Sequence, residues 1–245
     1  NDIADALTKL TPDERRELYP LIGVERVAEI FAYLDDAEPY LKELPIESAA
    51  KIVSEMDSDD AVDVLEEMDA TTKHKIVGML DKEASDDVRL LFSYDDDEIG
   101  SRMTTNFIMI HNHLTIRQAM RELVEQAGEN DNISTIYVID EEDKFYGAID
   151  LKDLIIAREY TDLEDIISHS YPYVMDHEKV SDCIDKIRDY AEDSIPVLQE
   201  NGTIAGIITS QDIVEAVDDE MGEDYAKLAG LTAEEDLNEK LTESV

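Results

Sequence analysis

Carboxylates supply most of the chemistry legible in this sequence. Asp59 and Asp63 stand four residues apart, Asp212 and Glu215 stand three apart, and Glu220, Glu223 and Asp224 follow closely, so on helices each set shares a face. Each set gathers like charges. Two such charges ~4 Å apart repel by about 1 kcal/mol in water and ~4 kcal/mol at an effective dielectric of about 20. Sets facing one another across an interface would push it open, and a divalent cation between them would reverse the sign. Mg²⁺ suits this role, because it is a hard ion that takes oxygen ligands and keeps several waters, so one or two carboxylates from different elements suffice. The bland alternative for any one of these residues is a solvated helix face or a helix N-cap.

Other chemistry is weaker on the page. Asp95-x-Asp97 before Gly100 has the start of a calcium loop, but Ile99 and Asn106 occupy positions where that loop needs oxygen ligands. His111 and His113 alternate on one strand face and could clip a transition metal, yet no third imidazole or thiolate lies nearby in sequence. The chain lacks a Gly-x-Ser-x-Gly elbow, a His-Glu-x-x-His helix and a glycine-rich phosphate loop, so an enzyme is not expected. Cys183, the only cysteine, falls on the apolar face of a helix as a small core residue and excludes an internal disulfide.

Composition narrows the partners. With 62 Asp and Glu against 21 Lys and Arg in 245 residues, the net charge is −41, which repels phosphate backbones and excludes nucleic acid as a partner. Solubility alone could account for many of these charges. Hydrophobic residues make up 43% of the chain, enough for packed cores rather than a disordered acidic tail. No apolar run approaches the ~18 residues of a membrane-spanning helix. The sequence starts without Met, so a longer parent chain is expected.

Two kinds of element must position the carboxylates. Residues 1–98 show helical spacing throughout, and an internal repeat runs through them: Leu44, Met56, Met68, Leu80 and Phe92 fall 12 residues apart, with Asp57, Asp69 and Asp81 marking the turns. Units this short cannot bury their own faces and must stack into a superhelical array. Beyond residue 100 the period changes. Ile136–Asp140, Phe145–Ile149 and a helix start at Leu151 return 59 residues later as Ile195–Leu198, Ile204–Ile208 and Ser210–Ile213, pairing Gly147 with Gly206 and Asp153 with Asp212. A strand and an amphipathic helix precede each copy. There the offset grows to 65, placing about six extra residues around Gly128–Asn132 in the first copy.

The motif Gly-x-Ile-(Asp/Thr)-x-x-Asp-(Leu/Ile), present in both copies, resembles a CBS-domain pair over residues 101 to about 218. Together with the acidic helical repeat and the junction from Tyr94 to Thr104, the chain resembles the cytosolic portion of an MgtE-type magnesium transporter. The resemblance implies an α+β multidomain fold: an acidic all-helical domain over 1–98, CBS domains over 99–162 and 163–225, and a connecting helix over 226–245 that leads to a C-terminal membrane domain not present here. It implies metal ligands at Glu29, Asp59 and Asp63 in the helical domain and at Asp212, Glu215, Glu220, Glu223 and Asp224 in the second CBS copy. Where the family's acids are expected at the head and end of that copy's first helix, the chain has Lys179, Ser181 and Ala191. CBS pairs often hold an adenine nucleotide through the helix-opening Asp, here Asp153 or Asp212, of which Asp153 is the better candidate because it stands outside the acidic interface, so the resemblance adds ATP to Mg²⁺ as a regulatory ligand. The expected function is a cytosolic Mg²⁺ sensor, homodimeric through its CBS helices, that closes an attached pore. The rivals are a nucleotide-sensing CBS module and an acidic helical adaptor.

Overall fold

The computed structural model describes residues 2–34, 36–128, 130, 132–183 and 192–212. Its first part is helical: α1 (Asp2–Leu7), α2 (Pro12–Ile22), α3 (Val24–Phe31), α4 (Glu38–Lys42), α5 (Ile46–Ser54), α6 (Ser58–Glu66), α7 (Ala70–Val77) and α8 (Lys82–Leu91). From α5 onward each helix begins twelve residues after the last, which is the period of the apolar repeat. Eight to ten residues make little more than two turns, too few to be stable alone. Burial therefore comes from alternate neighbours, with α5 on α3 and α7, and α6 on α8. Asp69 and Asp81 cap their helices, accepting from the N–H groups of Thr71, Thr72 and Ala84 at 3.0–3.1 Å. Asp57 sits at the equivalent place before α6 without capping it, and its carboxylate is used elsewhere.

The second part holds two copies of one small α/β unit. The first has β1 (Ile108–His111), α9 (Ile116–Gln126), β2 (Thr135–Ile139), β3 (Phe145–Asp150) and α10 (Leu151–Ile156). The second has β4 (Val174–Met175), β5 (Ser194–Leu198) and β6 (Ile204–Thr209), with residues 210–212 opening a helix. Each sheet orders its strands in sequence, the first pair parallel and the second antiparallel. The helix expected over Val180–Ile187 is described only to Cys183, which is fully buried, and the connecting segment lies outside the described residues.

The copies exchange their leading segments. Thr104, just before the first copy, pairs with Ile207 in β6; Ser168, just before the second, pairs with Ala148 in β3. The repeated glycines explain themselves here. A Cβ on Gly206 would lie 2.7 Å from the Thr104 carbonyl oxygen, and one on Gly147 would lie 2.7 Å from that of Ser168. Only glycine admits a crossing backbone that close.

The exchange ties the helical repeat to the second copy although the first follows it in sequence. Ile99 and Gly100 donate their N–H groups to the carbonyls of Glu178 and Asp176, both at 2.8 Å, and Val180 N–H donates to the Asp97 carbonyl. The Tyr94 hydroxyl donates to the buried Asp176 carboxylate at 3.1 Å. One apolar cluster runs from the helical repeat through Ile99 and Met103 to Val174, Cys183, Ile195 and Ile208, while the first copy keeps a separate core around Ile110, Leu123, Ile136 and Ile149.

Because the atoms opposing a Cβ at Gly206 and Gly147 include backbone, they cannot rotate away. Gly206→Ala and Gly147→Ala are each expected to lower unfolding free energy by about 1–3 kcal/mol in a urea titration. Gly128→Ala, whose added Cβ would lie 3.9 Å from the Glu125 carbonyl oxygen, should change it little.

Candidate metal centre

The seam between the helical repeat and the second α/β copy is sewn by short polar side chains. Ser58, buried at the head of α6, accepts from Thr105 N–H at 3.0 Å, and the Thr105 hydroxyl donates to Asp87 on α8 at 2.9 Å. Asn106 Nδ2 donates to Asp57 Oδ1 at 2.5 Å, which is where the missing cap goes, and Asn132 donates to the Asn106 carbonyl. These bonds fix the first turn of α6 against the strand that leads into β1. The acids of that turn also complement the helix dipole.

Asp59 lies in this turn. The residue keeps partial exposure, but its Oδ1 is shielded from solvent and has no hydrogen-bond partner. An orphaned carboxylate oxygen is costly, since desolvation is uncompensated. Burial first, then the neighbouring charges of Asp212 and Asp57, push its pKa up to about 7, against weaker opposition from the Thr104 hydroxyl and its own N–H. Asp87 is also raised by burial, partly offset by its bond from Thr105.

Asp212 reaches the same place from the other side. It occupies the third position of the helix opening at Ser210, where Thr209 N–H donates to its Oδ2 at 2.7 Å and its own N–H donates to Thr209 Oγ1 at 3.3 Å. This reciprocal pair is a capping box in form. The capped residue also lines the cleft, and its charge acts on Asp59.

Between these groups runs a cleft of about 210 Å³, lined by Glu29, Glu55, Asp57, Asp59, Asp60, Thr104, Asn132, Thr209, Gln211 and Asp212 among others. Among the described residues, no Lys or Arg lines it. Among the described residues no three His, Cys, Asp or Glu side chains are close enough to hold a metal by themselves. The donors fit an ion that keeps much of its water and takes a carboxylate from each side, with threonine hydroxyls and amide oxygens in reach of that water.

Of the residues expected from sequence, Glu29, Asp59 and Asp212 converge on this cleft. Glu29 stays exposed and is paired with Arg26 one turn away on α3, at 2.9 Å. Asp63, one turn beyond Asp59, lines two neighbouring clefts instead, and both contain Arg102. Asp153 is exposed in the first turn of α10 and lines none of these clefts. Glu215, Glu220, Glu223 and Asp224 lie outside the described residues. Sequence reasoning missed Asp57, read only as a turn marker, and Thr104, Asn132 and Thr209, whose types carry no metal signature. The rings of His111 and His113 lie 5.3 Å apart with His111 Nδ1 already near the Asp140 carbonyl.

Comparison with known proteins agrees over residues 1–219. A family model described as the MgtE intracellular N domain matches residues 1–97, and the CBS domain model matches 97–160 and 163–219. Magnesium transporter MgtE of Enterococcus faecalis is 33% identical over 230 residues, covering 92% of this chain and 51% of that protein, so the chain spans about half its length. The crystal structure of the soluble part of a magnesium transporter matches with a TM-score of 0.84 at 31% identity, over 89% of this chain and 86% of that one. The cytosolic domain of the Mg²⁺ channel MgtE in complex with ATP matches with a TM-score of 0.73 at 26% identity, over 86% and 92%.

The Asp59 environment has a pH signature. Folded, the group keeps its proton up to about pH 7; unfolded, it releases it near the ordinary aspartate value of 3.8. Between those values the folded state binds more protons, so stability falls as pH rises through this window and is level above it. In chelator, the denaturation midpoint should drop between pH 5 and pH 8. Asp59→Asn should flatten part of that drop and be the more stable protein at pH 8, by on the order of 2–4 kcal/mol.

Proposed function

The chain belongs to the MgtE family of magnesium transporters, and on that premise we propose that it is the Mg²⁺-sensing cytosolic region of such a transporter, in which ions bridge the helical domain to the second CBS domain and hold an attached pore closed. The observation that carries this reading is Asp59: a carboxylate with a shielded, partnerless oxygen, facing Asp212 across a cleft without a basic residue. A divalent cation supplies what that arrangement lacks. Asp59 and Asp212 would ligate it from opposite sides, Asp57 and Glu29 would add negative potential, and Thr104, Thr209 and Asn132 would hold its waters.

Loss of the ion leaves Asp59, Asp57 and Asp212 repelling one another. The helical domain then pivots away about its main-chain junction at residues 97–104, which stays bound to the second CBS copy. A single site at ~100 times its dissociation constant stabilises the closed form by about 2.7 kcal/mol, while a switch from 1:99 to 99:1 needs about 5.5 kcal/mol. Two or more ions are therefore required, and Glu215, Glu220, Glu223 and Asp224 are the candidates for the others. Asp63 is the weaker candidate, because Arg102 shares its clefts. The sensor would sit at the cytosolic face of the membrane as a homodimer joined through CBS helices, where Val124, Ile155 and Ile156 of the first copy are exposed apolar residues.

Nucleotide sensing is the second reading, favoured by the ATP held in the related channel's cytosolic domain. In this chain Asp153, at the opening of α10, would take the ribose. ATP would then act on the same closed form, with Mg²⁺ offsetting the charge of both partners.

Small-angle scattering during a Mg²⁺ titration into the millimolar range separates the readings. The sensor reading expects the radius of gyration to fall with Mg²⁺ alone, and Asp59→Asn or Asp212→Asn to raise the midpoint at least about tenfold. Compaction by ATP alone, lost on Asp153→Ala, would favour the nucleotide reading, and no response to either would leave the adaptor.

A further inference from the structure

Clefts follow the seam, and together they are lined by acids from α3, α6 and α8 and by Glu55 and Asp57 between α5 and α6. Among the described residues that line them, Arg102 is the one basic group. It lines one cleft with Asp63, Glu66 and Asp96, and another, of about 530 Å³, with Asp60, Asp63, Glu66 and Glu67. The latter cleft adjoins the Asp59 cleft, since Ala32, Tyr33, Asp60 and Gln211 line both. The seam is thus one acidic groove, with a cation built in at one end and a shielded, partnerless carboxylate at the other.

The backbone of Arg102 belongs to the second CBS side. Gly100 N–H, two residues earlier, is bonded to the Asp176 carbonyl, and Thr104, two residues later, exchanges both main-chain bonds with Ile207 at 2.9 Å. Met103 between them packs against Gly206. Of the acids that share its clefts, Asp60, Asp63 and Glu66 stand on α6 of the helical domain, with Glu67 just after it and Asp96 in the junction. A group anchored on one side of the seam therefore places its charge among acids of the other. Like charges are crowded there: burial and then the charges of Asp36, Glu38 and Asp63 raise the Glu67 pKa.

We propose that Arg102 is a tethered counter-ion: it neutralises the Asp60, Asp63 and Glu66 end of the groove permanently and staples that end of the helical domain to the second CBS copy. Within this groove external cation is then demanded only at the Asp57, Asp59 and Asp212 end, and Asp63 is relieved of the ligand role its spacing suggests. This rests on the sensor reading for its link to Mg²⁺ but not for the staple itself. An always-present cation lowers the number of ions the switch needs and sets the Mg²⁺ level at which it closes. Because Asp63 and Glu66 are exposed, the effect is screened and should weaken as salt rises.

The test uses scattering of the 245-residue chain at low ionic strength, in chelator and across a Mg²⁺ titration. Arg102→Met should be more extended than the parent in chelator and need about fivefold more Mg²⁺ to compact. Arg102→Lys should stay within about twofold of the parent, and Asp63→Asn added to Arg102→Met should bring the midpoint back toward it. An Arg102→Met midpoint within twofold of the parent overturns the proposal. So does an equal shift in Arg102→Met and Arg102→Lys, which would assign the effect to guanidinium packing instead of charge. If the parent itself fails to compact with Mg²⁺, the sensor reading is what falls; the chelator comparison then decides on Arg102 alone, with equal radii counting against it.

Discussion

One carboxylate oxygen organises this molecule. Asp59 Oδ1 is shielded from water, lacks a hydrogen-bond donor and faces the charges of Asp57 and Asp212. Such a group has two ways to lower its energy: take a proton, as a pKa pushed up to about 7 allows, or take a cation. Near neutral pH the two compete for the same oxygen. The surrounding structure reads as the means of keeping that choice open, because a lysine or arginine at this position would close it for good. Among the described residues, the only basic one in the groove, Arg102, stands at the other end.

The rest of the fold keeps the two acidic surfaces close without relying on the ion. The junction from Asp97 to Thr104 is bonded through its main chain to the second CBS copy, and an apolar cluster continues across it. Small polar contacts at Ser58, Thr105 and Asn106 add directional bonds worth about 1 kcal/mol each. Repulsion across the seam is of the same order per pair. On the proposed sensor reading, closed and open arrangements would differ by few enough kcal/mol for a weakly held ion to decide between them.

Much of this was legible beforehand, and the reasons are specific. The helices starting at 46, 58, 70 and 82 follow from an apolar period that no other element could satisfy. The two α/β copies were legible because a constant offset carries Gly147 onto Gly206. What those glycines do was not: the exchange of leading segments is a long-range pairing without a local sequence signal. Asp59 and Asp63 were read as one ligand pair from their spacing, but one turn of helix is ~5.4 Å, enough to change what lies opposite, so Asp59 meets Asp212 while Asp63 shares clefts with Arg102. Asp212 was framed as either cap or ligand, and the structure shows the cap on a residue that also lines the Asp59 cleft.

The most direct test is a crystal of this chain grown with Mn²⁺ at neutral pH, read by anomalous scattering. The account predicts a peak at coordination distance from Asp59 Oδ1, with Asp212 on its far side directly or through one water. A cleft holding only water, with Asp59 and Asp212 drawn together over a shared proton in the presence of the metal, would contradict it.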